Sequence, residues 1–359
     1  MRSIWMVNCC TALGLTAQTL TFEEYSPKST LVIPANPRTQ AKFPFIDVHG
    51  HPRQMGSAEK IDQLIKEMDT MNMRMMVNLD GRSGEALKKT IATMRGKYPD
   101  RFAVFANVDF AGMDDPNWTN KTVTQLEQDI KNGASGLKIY KNLGLDVKDS
   151  KGQRIKVDDA RIDPVWALCG RLKVPVLIHT AEPATFWLPQ DKYNERWLEL
   201  KEMPGRARSV DKFASWETLI AEQHRVFKKH SGTTFINAHL GWYGNNLGEL
   251  GRLLDEMPNM YTEIGAVLAE LGRQPRFARQ FFMRYQNRVL FGKDTYTPSE
   301  YPTYFRVLES ADEYFDYYRR RHAFWQMYGL DLPDEVLKKL YYKNAAKIIP
   351  GVDVRKFPQ

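Results

Sequence analysis

The chain has 359 residues, 43% of them hydrophobic, enough for one large domain or two modest ones and too much for an intrinsically disordered chain. The formal net charge is +8, but the basic residues are spread along the chain, so nucleic acid is not an expected partner. Three cysteines, Cys9, Cys10 and Cys169, exclude a disulfide framework.

Taken in order, the first residues read as a weak secretory signal. Arg2 supplies a positive start, Ile4 to Leu15 is mostly apolar, and Leu15-Thr16-Ala17 precedes a cleavage point. This predicts a signal peptide over 1–17 and an exported, periplasmic protein, with the cytoplasm as the alternative. Residues 18–42 are polar and carry Pro27, Pro34 and Pro37, which predicts an extended lead-in. No later run is long and apolar enough to span a bilayer.

From Phe45 the pattern alternates between strand and helix. Phe45 to His51 reads as a buried strand. Asp62–Met71 then reads as helix and Met73–Leu79 as strand, Gly84–Tyr98 as helix and Phe102–Val108 as strand. Val123–Lys131 and Gly136–Tyr140 repeat the pair, as do Arg161–Leu172 and Val174–His179. After an insertion at about 181–214 come Ser215–Lys229 and Thr233–His239, Leu247–Met257 and Met260–Ile264, and Pro275–Tyr285 and Arg288–Gly292, the last strand running on to Asp294. About eight strand–helix units predict a (β/α)8 TIM barrel over 43–359. A doubly wound open sheet is the alternative, but no glycine-rich nucleotide turn follows the first strand. Cys169 sits in an apolar helical pattern with Val165, Trp166, Leu168 and Leu172, as a core residue does. Arg319-Arg320-Arg321 reads as the solvated face of a helix, and His224, His230 and His322, also in helical stretches, as surface or packing residues.

Four strands end in metal-binding residue types: His49 and His51 on the first, His179 on the fifth, His239 on the sixth and Asp294 on the eighth. In a barrel these ends share one rim, which carries the active site. His49 and His51 are two apart, so both imidazoles aim the same way, and such nitrogens suit a divalent transition metal. Asp47 is expected on the opposite side of the strand, in a supporting role.

The Asp-x-His-x-His of the first strand, Leu177-Ile178-His179-Thr180, Asn-Ala-His-Leu-Gly at 237–241, Phe-Gly-Lys-Asp at 291–294 and Asn344-Ala345-Ala346 together resemble the amidohydrolase superfamily over roughly Phe43 to Ile349. The likeness is to the amidohydrolase-2 branch of metal-dependent hydrolases, which includes the aminocarboxymuconate-semialdehyde and resorcylate decarboxylases. The resemblance implies one divalent ion, Zn2+ or else Mn2+, held by His49, His51, His179 and Asp294, with His239 bonding substrate or water. Binuclear relatives carry a carbamylated lysine at the end of the fourth strand. Lys138 lies in that strand and reads instead as an ammonium paired with a carboxylate or a substrate anion.

The reaction expected is hydrolysis of an ester, lactone or amide by metal-activated water, with Asp294 as base and His239 stabilising the carbonyl oxygen. The alternative is nonoxidative decarboxylation of an aromatic or unsaturated acid, whose carboxylate Arg53 is placed to hold. Glu182, Trp187, Tyr193 and Trp197, on the insertion at the catalytic face, are candidate substrate contacts. The expected partner is a small-molecule substrate, with a homodimer as the assembly considered.

Overall fold

The computed structural model describes residues 19–52 and 57–358. The signal-peptide reading of 1–17, with Cys9 and Cys10, and the substrate role of Arg53 therefore lie outside the described residues. The chain divides into a unit ending at Ile33 and a second from Pro34 onward. Residues 19–33 form a turn in which the backbone N–H groups of Glu24 and Tyr25 donate to the Thr21 carbonyl, followed by extended chain. In the second unit the rest of the lead-in is pinned, with the Asn36 backbone and side-chain amides donating to Asp312 at 2.6 and 2.8 Å and the Ala41 N–H to the Met71 carbonyl.

The apolar runs form parallel strands because both of their faces are buried, as expected of a sheet covered by helices outside and packed within. They are β1 (Phe45–His51), β2 (Met73–Asn78), β3 (Phe102–Asn107), β4 (Gly136–Ile139), β5 (Val176–Ile178), β6 (Phe235–Asn237), β7 (Met260–Glu263), β8 (Val289–Leu290) and β9 (Asp294–Thr295). The sheet order is β8-β7-β6-β5-β4-β3-β2-β1-β9, all parallel. The last two strands are one run broken at Phe291–Lys293: its first half pairs with β7 and its second half with β1, closing a TIM barrel. Three of the backbone groups at the break find partners outside the ladder. Phe291 N–H donates to the Leu340 carbonyl, its carbonyl accepts from Val48 N–H at 3.0 Å, and Lys293 N–H donates to Asp47.

A helix follows each strand unit: Ala58–Thr70, Gly84–Arg95, Trp118–Lys131, Asp163–Leu172, Trp216–Lys229, Leu247–Glu256, Pro275–Arg284 and Tyr301–Glu309. Ser57, Ser215 and Asn246 cap three of them by accepting N–H bonds, which fixes their starts. Buried apolar side chains on the inner faces, such as Leu64, Met68, Trp166 and Phe227, each contribute roughly 1.5–3 kcal/mol through burial. Cys169 is in this core, and burial pushes its thiol up to about 12, so it is no nucleophile.

Two readings are corrected. Arg319–Arg321 is not on a helical face: only Arg320–His322 forms a single 3-10 turn, Arg319 pairs with Glu300, and Arg321 approaches Glu202 at 3.7 Å. The adjacent Tyr317 is buried, so the segment packs down and draws its arginines onto carboxylates. His322 likewise belongs to that turn and not to a helix, and lies buried 3.3 Å from Glu199.

Candidate metal centre

Asp47 and His49 are two apart, which in a regular strand would place them on one face. The β1–β2 register slips between Asp47 and Gly50, where β1 advances three residues against two on β2. This bulge separates the two side chains. Asp47 turns towards the outer layer, where its buried carboxylate accepts from Tyr301 Oη at 2.6 Å, His49 N–H at 2.9 Å and Lys293 N–H at 3.2 Å. Burial pushes it up to about 6, against the pull of those donors. It holds the broken eighth strand against the first and does not ligate.

Inside the rim, ligand atoms of His49, His51 and Asp294 lie within 4.8 Å of one another. Asp294 Oδ1 stands 3.8 Å from His49 Nε2 and 3.7 Å from His51 Nε2. Asp294 has φ +82°, a left-handed conformation costing a non-glycine residue of order 1–3 kcal/mol, which aims its carboxylate between the two rings.

Hydrogen bonds from the far side of each ring set the tautomers. His49 Nδ1 meets Glu263 Oε1 at 2.9 Å and His51 Nδ1 meets Asp80 Oδ1 at 2.8 Å. Carboxylates accept, so both Nδ1 atoms carry the proton and both Nε2 lone pairs face Asp294. His239 Nδ1 donates to the Gly265 carbonyl at 2.8 Å, which leaves its Nε2 an acceptor 3.3 Å from His179 Nδ1. His179 therefore also presents an Nε2 lone pair, and that atom is buried with no partner. Three imidazoles backed in this way and one carboxylate are the donor set of a structural or catalytic divalent cation, and the orphaned His179 Nε2 is the observation of fit. His179 is not within the 4.8 Å group, and joins the cluster through His239.

Sequence reasoning did not nominate Glu263, which organises the whole arrangement. Its fully buried carboxylate also accepts His239 N–H at 2.6 Å and Gly265 N–H at 2.5 Å. The first of these holds His239 in its left-handed turn, at φ +58°. Gly265 and Gly292 are required here, because a Cβ would stand 2.7 and 2.4 Å from Glu263 Oε2. Glu263 ends β7, so the strand-end rule that picked the histidines would have found it. Asp80, just past β2, was missed in the same way. It is held below the usual carboxylate range: burial raises it, but bonds from His51 and Tyr140 prevail.

Lys138, on β4, is buried with its Nζ 3.3 Å from His49 Nε2 and forms no ion pair among the described residues, so it is not paired with a protein carboxylate. Burial pulls it down to about 8, while Asp294, Glu263 and Asp80 act to raise it. Asp294 is held below its ordinary value: burial raises it, but His49, His239, His51 and Lys138 outweigh that. The candidates on the insertion are occupied elsewhere. Glu182 is buried and is shared by Lys141 at 2.5 Å, Arg206 at 3.4 Å and Arg208 at 3.7 Å, which makes it an ion-pair anchor. Trp187 donates its indole N–H to Ala214 and ties the insertion to its own return. Tyr193 is 80% exposed beneath Lys192, and Trp197 opens the helix Trp197–Glu202 with Lys201 over its ring. The indole in contact with the cluster is Trp242, stacked on His239 at 4.6 Å and 5.6 Å from His179.

Burial drives His49 and His179 well below the usual histidine value, with Lys138 adding to the shift in His49 and His239 to that in His179. A lowered folded value keeps the neutral, ligating form present below pH 6.5. Metal content after dialysis across a pH series is therefore expected to stay flat from about pH 8 to below 6.5 and to fall only in stronger acid. Half-loss centred near 6.5 would mean the histidines behave as if exposed.

A family model described as amidohydrolase matches residues 39–351. No curated protein matches the chain. Among solved structures, the chain is similar to an uncharacterised TIM-barrel protein from Bordetella bronchiseptica, at 16% identity over 85% of this chain and 97% of that one, with a TM-score of 0.53. It is similar to 2,6-dihydroxybenzoate decarboxylase from Rhizobium at 15% identity over 86% and 98%, with a TM-score of 0.52. It is similar to 4-oxalomesaconate hydratase from Rhodopseudomonas palustris at 15% identity over 87% and 97%, with a TM-score of 0.50. At these identities the likeness is one of fold.

Proposed function

The chain belongs to the amidohydrolase family, and from that premise we propose that it is a hydrolase of an ester, lactone or amide that works with one divalent cation, Zn2+ or Mn2+, held by His49, His51, His179 and Asp294. The observation that carries this reading is the set of three imidazoles whose Nδ1 sides are all taken, leaving Nε2 lone pairs on the barrel interior. When bound, the cation supplies Lewis acidity, which lowers the pKa of a coordinated water from about 15.7 towards ~7.

The chain's own residues do the rest. Asp294, an ionised carboxylate held low by its neighbours, takes the proton of the attacking water and returns it to the leaving group. His239 Nε2 accepts the hydrogen bond of His179 Nδ1–H and so keeps the His179 Nε2 lone pair on the cation side; in this tautomer it carries no proton to give to a substrate oxygen. Trp242 covers the His239 ring and keeps water off that side.

One observation favours a second reading, decarboxylation of an aromatic or unsaturated acid. Lys138 is a buried amine with no carboxylate partner among the described residues, placed to hold a substrate carboxylate beside the cation. Metal-loaded protein incubated with a panel of lactones, esters and hydroxybenzoates separates the two. Hydrolysis yields a new carboxylate and no gas. Release of carbon dioxide with no water consumed would replace the first reading with the second.

A further inference from the structure

The rim above the centre carries an unbalanced set of charges. Glu182, three residues beyond His179, is only 1% exposed, yet Lys141, Arg206 and Arg208 all approach it. Arg206 is shared with Glu199, and Glu199 with Arg196, which reaches on to Glu270 at 2.7 Å. Among the described residues, these four cations share three carboxylates. Two further pairs among the described residues, Glu195 with Arg273 and Glu202 with Arg321, are balanced.

The layering of this network matters more than the count. The carboxylates of Glu182 and Glu199 are sunk at 1% exposure, whereas the side chains of Lys141 and Arg206 remain 38% and 31% exposed and Arg208 12%. A solute arriving from the solvent meets cations first. Both arginines are also held in place by rings: Arg206 lies over Phe186 and Arg208 over Phe213, each 4.9 Å from the centroid. Arg208 is fixed further by donating to the Gly205 carbonyl at 3.0 Å, and its Nε is buried without an acceptor. Because the Arg208 Nε is out of solvent, an arriving oxyanion meets the exposed ammonium of Lys141 and the exposed edges of the two guanidinium groups, which their ring contacts set in advance. Lys141 follows β4 by two residues and Glu182 follows His179 by three, so the pair they form lies at the same strand ends that carry the centre.

We propose that Lys141, Arg206 and Arg208 form an anion subsite at the mouth, which selects substrates carrying a carboxylate away from the reacting group. The inference rests on the reading of the centre as the reacting site, and it names the substrate class: an acid with a second polar end. Arg206 and Arg208 come from the insertion at about 181–214, which gives that insertion a purpose its aromatic residues do not.

The test compares isophthalate and terephthalate, each with its monoamide, by calorimetric titration of the metal-loaded protein. Each pair keeps ring and size and differs by one distal charge. At least one diacid is expected to bind about tenfold or more tighter than its monoamide, the scale of one charge-assisted contact. In Arg208→Gln and in Lys141→Met that preference should shrink to about threefold or less, and in the parent it should fall as salt is raised. Equal binding of diacid and monoamide in the parent, or a preference that survives both substitutions in protein of unchanged Tm, overturns the proposal. The ratio does not depend on what holds the inner carboxylate. Protein that bound neither Zn2+ nor Mn2+ when supplied with them, yet kept the preference, would therefore contradict the metal reading and leave this subsite standing.

Discussion

Asp294→Asn is expected to lower turnover by about 10²- to 10⁴-fold, the range for a positioned base, while the protein remains folded. Asparagine keeps the shape and tolerates the left-handed backbone that φ +82° imposes, so the substitution isolates the carboxylate from the turn. Its amide can neither take a proton from water nor offset the charge of a bound cation and of Lys138. Asp294→Ala adds backbone strain and is expected to lose stability as well, so a larger Tm loss in alanine than in asparagine separates the two effects. Activity retained in Asp294→Asn would remove Asp294 from the chemistry.

Glu263→Gln is expected to act from one layer further out and to cost both metal and stability. The carboxylate accepts from His49 Nδ1, His239 N–H and Gly265 N–H, and makes no donation. A glutamine must point its NH2 at one of these donors. If the amide faces His49, that ring loses the bond that keeps its proton on Nδ1, and its Nε2 lone pair is no longer assured. Loss of such a partner typically costs about 10- to 100-fold in metal affinity. If it faces Gly265, two buried N–H groups oppose each other, at roughly 1–3 kcal/mol. Metal affinity by competition with a chelator and Tm, measured together, check both routes; wild-type values in each would show that Glu263 does not set the tautomer of His49.

The barrel was legible because each strand is an apolar run of the right length and each helix carries a core stripe; the cap at Ser57 was not read, and the first helix begins four residues before the expected Asp62. The strands came out shorter than their apolar runs. Thr233–His239 reads as one strand, but only Phe235–Asn237 pairs regularly, because Ala238 and His239 leave the sheet in a left-handed turn. Periodicity does not register a turn that depends on a carboxylate from the neighbouring strand. The break at Phe291–Lys293 is illegible for the same reason, since the groups that satisfy it, Leu340, Val48 and Asp47, are distant in sequence.

The candidate site divides along a similar line. His49, His51, His179, His239 and Asp294 were found because metal-binding residue types at strand ends are informative in themselves. Glu263 and Asp80 also stand at strand ends and were passed over because the rule was applied to the histidines and Asp294 alone; their role shows only once the ring each faces is known. The aromatic residues of the insertion drew attention by size, but burial there follows charge. Arg196, Arg206 and Arg208 knit the insertion to Glu182, Glu199 and Glu270, while Tyr193 is left in solvent.

The most direct test of the account is an anomalous-scattering map from crystals of the purified protein, collected at the absorption edge of the metal found in it. The account predicts one peak per chain, about 2.0–2.2 Å from Nε2 of His49, His51 and His179 and from a carboxylate oxygen of Asp294. A fully occupied metal elsewhere, or none at this position in protein supplied with Zn2+ and Mn2+, would contradict it.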